Sequence, residues 1–136
     1  MKKFLLLLLC FSIASSAVAA NPIKGVKNLF KREPKNRVVW SIAEGLKAPE
    51  SAYVDPVSGF LFLSQIGEGG GKGKDGDGWI SKLSVEGKMI KNKWVTGLDA
   101  PKGLRSHGKL LWVSDIDQIV AIDIAGGTIL QRVPIK

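Results

Sequence analysis

Few side chains in this 136-residue chain are equipped for catalysis, and their scarcity bounds the chemistry. There is one histidine, His107, and one cysteine, Cys10. A site built from several histidines is excluded. Cys10 lies in an apolar N-terminal run, so the chain beyond that run has no thiol nucleophile, no cysteine-based zinc site and no disulfide. His107 sits in Ser106-His107-Gly108, which reads as a solvated turn between two strands rather than as a general base. Ser114 precedes Asp115 but lacks the Gly-x-Ser-x-Gly elbow of a hydrolase nucleophile. The chemistry that remains belongs to carboxylates, whose oxygens suit proton transfer or a hard cation.

The most conspicuous stretch, Gly67 to Gly78, fails three tests. Gly71, Gly73 and Gly76 fit Gly-x-Gly-x-x-Gly, but Trp79 opens a strand where a dinucleotide site needs a helix. Asp75 follows Gly73-Lys74 where a phosphate loop needs Ser or Thr. Gly73 and Ser84 stand where a calcium-binding loop of the EF-hand kind needs an acid or amide and a Glu. The stretch reads as a mobile insertion between two strands, with Asp75 and Asp77 able to hold a surface cation weakly.

The elements that position these groups repeat. Gly45-Leu46-Lys47-Ala48-Pro49-Glu50-Ser51 recurs as Gly97-Leu98-Asp99-Ala100-Pro101-Lys102-Gly103. Each copy is followed by a turn and an apolar strand, Phe60 to Ile66 and Leu110 to Ile116. A third strand follows at Trp79 to Leu83 and at Ile119 to Asp123. A fourth closes each copy after a Gly turn, Met89 to Val95 and Thr128 to Val133. Four short strands per unit of ~40–50 residues is the pattern of a β-propeller blade. The spacing predicts an all-β fold of about two four-stranded blades, at about 46–95 and 98–135, within a partial propeller over 38–136. Val38 to Ile42 parallels Lys93-Trp94-Val95, so it is expected to be the last strand of a preceding blade. Propellers use 4–8 blades, so the expectation is a piece of a longer protein, or else a protomer that self-assembles through open blade edges.

Residues 1–20 read as a signal peptide. Lys2 and Lys3 precede a run from Phe4 to Ile13, and Val18-Ala19-Ala20 fits a cleavage site. The run is about 10 residues long, too short for the ~20 of a spanning helix, so no stable span is expected after cleavage near Ala20. A periplasmic or secreted protein follows. The net charge of +8 invites a nucleic-acid reading. Its distribution argues against one. Lys24, Lys27, Lys31, Arg32, Lys35 and Arg37, opposed by Glu33, concentrate the charge in a basic linker over 21–37. Ile23 to Phe30 makes at most one weak helical turn. The folded part is nearly neutral, and no aromatic pair interleaves with the cations. Hydrophobic residues at 45% and charged residues at 24% exclude wholesale disorder.

Gly-Leu-x-Ala-Pro-Glu-Ser-x-x-x-Asp at 45–55, Asp-Gly-Asp-Gly-Trp-Ile-Ser-Lys-Leu at 75–83 and Gly-Leu-x-Ala-Pro-Lys-Gly-Leu at 97–104 resemble exported bacterial propellers. These are related to the gluconolactonase, regucalcin and luciferin-regenerating-enzyme family. The resemblance implies a six-bladed, calcium-dependent lactone or ester hydrolase with an ion at the head of its channel. It places Glu50 at the family's first ligand position, with Asp55 at the matching distance, although Ser51-Ala52-Tyr53-Val54 departs from the family's Gly-Pro-x-Trp. Asp115 and Asp117, after an apolar strand near one rim, are secondary metal candidates, and Lys102 replaces Glu50 in the second copy. The implied partner is a small lactone or ester, and the implied cofactor is Ca²⁺ or another divalent cation. A non-catalytic propeller that binds a sugar, a peptide or an envelope protein is the alternative, and an inactive fragment is a third.

Overall fold

The computed structural model describes residues 38–135, and the expectations for the signal peptide over 1–20, the linker over 21–37 and the turn at Ile23 to Phe30 lie outside them. Eight strands follow one another: β1 (Pro49–Val54), β2 (Leu61–Gln65), β3 (Gly78–Leu83), β4 (Met89–Leu98), β5 (Leu104–His107), β6 (Leu110–Ser114), β7 (Gln118–Asp123) and β8 (Thr128–Pro134). They form two four-stranded antiparallel sheets, each in sequence order, and no helix occurs among the described residues. The all-β architecture and the four-strand unit expected from the repeat are therefore present.

Local chemistry explains the meander. Asp55-Pro56-Val57-Ser58-Gly59 turns β1 into β2: Pro56 restricts φ, and the Ser58 N–H donates to Asp55 Oδ2 at 2.7 Å. Between β3 and β4, Gly87 takes φ +85° and its N–H donates to Ser84 O at 3.0 Å. His107 is the last residue of β5, paired with Leu110 across a Gly108-Lys109 turn, rather than a residue of the turn itself. Strand alternation then sorts the faces. Phe62, Ile80 and Val95 of the first sheet join Leu104, Leu111, Val113, Val120 and Ile122 of the second in one buried cluster. The two sheets thus share a core. Of strands from different sheets, β1 and β5 approach most closely. The sheets approach along the edge formed by their first strands.

One expected strand does not form. Residues 38–42 belong to no ladder, and Val38 and Val39 are exposed. A strand requires a neighbour to take its backbone hydrogen bonds, and no described residue pairs with this segment. The parallel with Trp94 nonetheless holds for the side chain. Trp40 Nε1 donates to Val85 O at 2.9 Å, and its ring lies where a Cβ on Gly87 would stand. The Trp94 ring occupies the same place against Gly127.

Candidate functional site

The three metal candidates Glu50, Asp115 and Asp117 lie at one end of the sheets, where β1 begins and where the β2–β3 and β6–β7 connections run, while Asp55, paired with Glu50 by the resemblance, lies at the other end. Their environments differ. Glu50 is exposed at the start of β1, beside a register shift between Pro49 and Ser51. Among the described residues its carboxylate has no hydrogen-bond or ion-pair partner. Asp115 is buried, and both its oxygens are engaged. Oδ1 accepts from the N–H of Ala100 at 2.7 Å and of Ile116 at 3.0 Å; Oδ2 accepts from the Asp99 N–H at 3.0 Å and Gln118 Nε2 at 3.2 Å. Asp117 is half-exposed and pairs with Lys74 from the first sheet's glycine-rich loop. That carboxylate raises the Lys74 ammonium above its ordinary pKa.

The repeat explains what Asp115 does. Its counterpart in the first sheet is Gln65, the last residue of β2, which is fully buried. Gln65 Oε1 accepts from the Lys47 N–H at 2.6 Å, as Asp115 accepts from Asp99. In both sheets the residue after the buried or half-buried serine clamps the Gly-Leu-x-Ala-Pro segment that enters the first strand. The serines act in parallel: Ser64 Oγ accepts from the Ser51 N–H at 3.1 Å, and Ser114 Oγ from the Gly103 N–H at 2.9 Å. Gln65 Nε2 donates onward to Ser81 Oγ at 2.6 Å, whose hydroxyl also meets Trp79 Nε1 and Asn92 Oδ1. Buried polar groups are tolerated only when satisfied in this way.

The glycine-rich loop is organised by its acids. Asp77 Oδ2 accepts from the N–H groups of Glu68 at 2.6 Å and Gly69 at 2.9 Å. The Gly69 N–H, and behind it that of Glu68, hold the Asp77 carboxyl below its ordinary pKa against the opposing effect of burial. The Gly76 N–H reaches Asp99 Oδ1 at 3.1 Å, and Lys74 reaches Asp117. The loop therefore joins the two sheets at this rim.

A calcium ion takes six to eight oxygens. Glu50 offers an uncommitted carboxylate, Asp115 has its oxygens filled, and Asp117 holds a cation already. No group of three or more His, Cys, Asp or Glu side chains comes together among the described residues. Of the three metal candidates, only Glu50 has a carboxylate without a partner among the described residues.

The opposite rim carries groups that the sequence did not single out together. A cleft of about 400 Å³ is lined by Asp55, Ser58, Phe60, Lys82, Lys109 and Ile124. Lys82 Nζ stands 3.9 Å from the centre of the Phe60 ring, and burial lowers its pKa. The signal for Lys82 was its place in a strand, where it pairs with Phe62 on the core-facing side. Asp55 is fully buried. Burial acts to raise its pKa, but the Ser106 and Ser58 hydroxyls and the turn's backbone N–H groups outweigh it, so the net shift is downward. A lowered folded-state pKa stabilises the fold above the unfolded value and is lost as pH falls through the folded value. Urea unfolding between pH 6 and about pH 3 is expected to show this loss, and Asp55→Asn is expected to flatten that acid limb. An unchanged limb in the variant would remove Asp55 from the account.

Compared with family models, with curated proteins and with solved structures, the chain matches none.

Proposed function

We propose that the two sheets are adjacent blades of an exported, gluconolactonase-like propeller, and that the rim carrying Glu50 acts on a small lactone or ester. The observation that supports this reading is the state of Glu50. It stands at the rim end of the strand nearest the convergence of the sheets, exposed and without a partner among the described residues. A carboxylate so placed suits a hard divalent cation, which would polarise the substrate carbonyl once the other ligands are supplied. Those ligands, and the acid or base that activates water, would have to come from blades other than these two. Glu50 contributes position and one charge, and the clamp by Gln65 on the Lys47 N–H fixes the segment that delivers it.

The alternative is a propeller that binds without catalysis. It is favoured by the commitment of Asp115 to four donors and of Asp117 to Lys74, which leaves the rim structural rather than reactive. Calcium titration by calorimetry, paired with hydrolysis of an aldonolactone, separates the two. The hydrolase reading expects binding heat and turnover that Glu50→Gln abolishes while the circular dichroism stays the same. Heat that survives in the variant would put the ion elsewhere. No heat and no turnover in either protein, measured with the blades or copies that supply the remaining ligands present, would leave the binding module as the reading.

A further inference from the structure

The internal repeat also says what should cover the sheet faces that remain open. The face of the first sheet that packs onto the second is set by register. Tyr53 pairs with Phe62, and Ser51, Ser64, Ile80 and Val95 are linked in turn across the strands. Phe62, Ile80 and Val95 enter the common core. Two polar contacts accompany them: Ser64 Oγ donates to Lys102 O at 2.7 Å, and Tyr53 Oη meets Ser106 Oγ at 2.9 Å. The receiving face is built from Leu104, Leu111, Val113, Val120 and Ile122.

Each of these faces has a counterpart on the other sheet. On the second sheet Arg105 pairs with Trp112, and Ser114 with Ile119, which pairs with Val133. These positions correspond to Tyr53, Phe62, Ser64, Ile80 and Val95. Here the face is open: Trp112 and Ile119 are only half-buried, Val133 is exposed, and a cleft of about 410 Å³ runs beside them. On the first sheet Ala52 pairs with Leu63 and Val54 with Leu61, at the positions of Leu104 with Val113 and Ser106 with Leu111. Ala52 and Val54 are exposed and Leu61 is half-buried, while Leu63, Ser81 and Leu83 of the same face are already buried. The outer part of this face is covered by the chain's own segment through Trp40 and Gly45, and the part nearest β1 is not.

We propose that the Trp112 face of one chain docks onto the Ala52–Val54 face of a second copy, repeating between chains the packing already present within one. The occupant is argued from complementarity. Each open face is the counterpart of one that already packs, with an aromatic and β-branched side chains on one and small or branched aliphatic ones on the other. Even the backbone contact has its counterpart: Ser114 Oγ would donate to the Glu50 carbonyl of the next chain, as Ser64 Oγ donates to Lys102 O. The two faces differ, so the contact is head-to-tail and propagates until a ring closes or a filament grows. This inference does not depend on calcium or on turnover.

Light scattering on the purified protein over a concentration series tests it. The expected result is a mass that rises to a multiple of the chain. Trp112→Glu and Val54→Glu, each on an open face, are each expected to return it to the monomer with unchanged circular dichroism. A second measurement covers the geometry. Ser114→Cys and Glu50→Cys, each in a Cys10→Ser background, should form a disulfide-linked pair when mixed and not when kept apart. A monomer at every concentration would overturn the proposal and point to cover by further blades or another protein. Association that survives both charged variants, or cross-linking of either cysteine variant with itself, would overturn it as well.

Discussion

Asp115→Ala is expected to cost the fold about 3 kcal/mol, read as a lower denaturation midpoint with little change in slope. The argument rests on what is stranded. Asp115 is 5% exposed and accepts from three backbone N–H groups and the Gln118 amide. Ala100 is itself fully buried, so its N–H loses an acceptor with no access to water. Removing one partner of a buried hydrogen bond leaves the other's desolvation uncompensated, at about 1–3 kcal/mol. Asp115→Asn keeps one acceptor oxygen and should cost roughly half as much. Asp117→Asn is the contrast. Both members of its pair with Lys74 are more than half solvated on average, and exposed pairs contribute about 0–1 kcal/mol. If Asp115 were held in reserve for a cation, Asp115→Asn would leave stability unchanged and act only on binding. A large stability loss in alanine, a smaller one in asparagine and none at Asp117 assigns the first acid to the fold.

That contrast shows where the sequence was informative. The strands, their order and the four-strand unit could be read because alternation and turn composition act locally, and because two copies of one segment cross-check each other. Gly45 to Ser51 and Gly97 to Gly103 occupy equivalent places in the two sheets, as their likeness requires. The role of Asp115 could not be read, since its counterpart is Gln65. An acid and an amide share no charge, but both offer an oxygen to a backbone N–H, and only the folded loop reveals that shared use. Glu50 lies at the start of β1, exposed and without a side-chain partner among the described residues. The resemblance of segment 38–42 to Lys93-Trp94-Val95 predicts a strand. Trp40 takes the matching position on Gly87, but a ladder needs a second backbone and none of the described residues provides one. The glycine-rich loop has the composition of an insertion between two strands, and it lies between β2 and β3. The structure shows its acids tied to backbone N–H groups and its lysine tied to the neighbouring sheet. The cleft with Asp55 and Lys82 is a product of two sheets meeting, which no single stretch of sequence encodes.

Trp94→Ala is expected to have the largest effect, about 4 kcal/mol, because its side chain links the two sheets. Trp94 belongs to β4 of the first sheet and is 8% exposed. Its ring lies 4.8 Å from that of Phe62, centre to centre, tilted by 32°. On its other side it closes on Gly127 in the β7–β8 turn of the second sheet, so tightly that a Cβ there would come within 2.8 Å of the indole. Truncation removes the aromatic pair and opens a cavity between the sheets, and both terms act in the same direction. Gly127→Ala tests the opposite flank: φ is +73° and the indole blocks the methyl, so strain and overlap together should cost about 1–3 kcal/mol. Trp40 makes the equivalent contact with Gly87 but is 37% exposed, and Trp40→Ala should cost roughly 1 kcal/mol. The order of the three effects, measured by urea unfolding, carries the argument. If the sheets share one core, all three variants unfold in a single transition with Trp94→Ala the least stable. If the sheets are energetically independent, Trp94→Ala splits the transition in two and Gly127→Ala weakens only the second sheet.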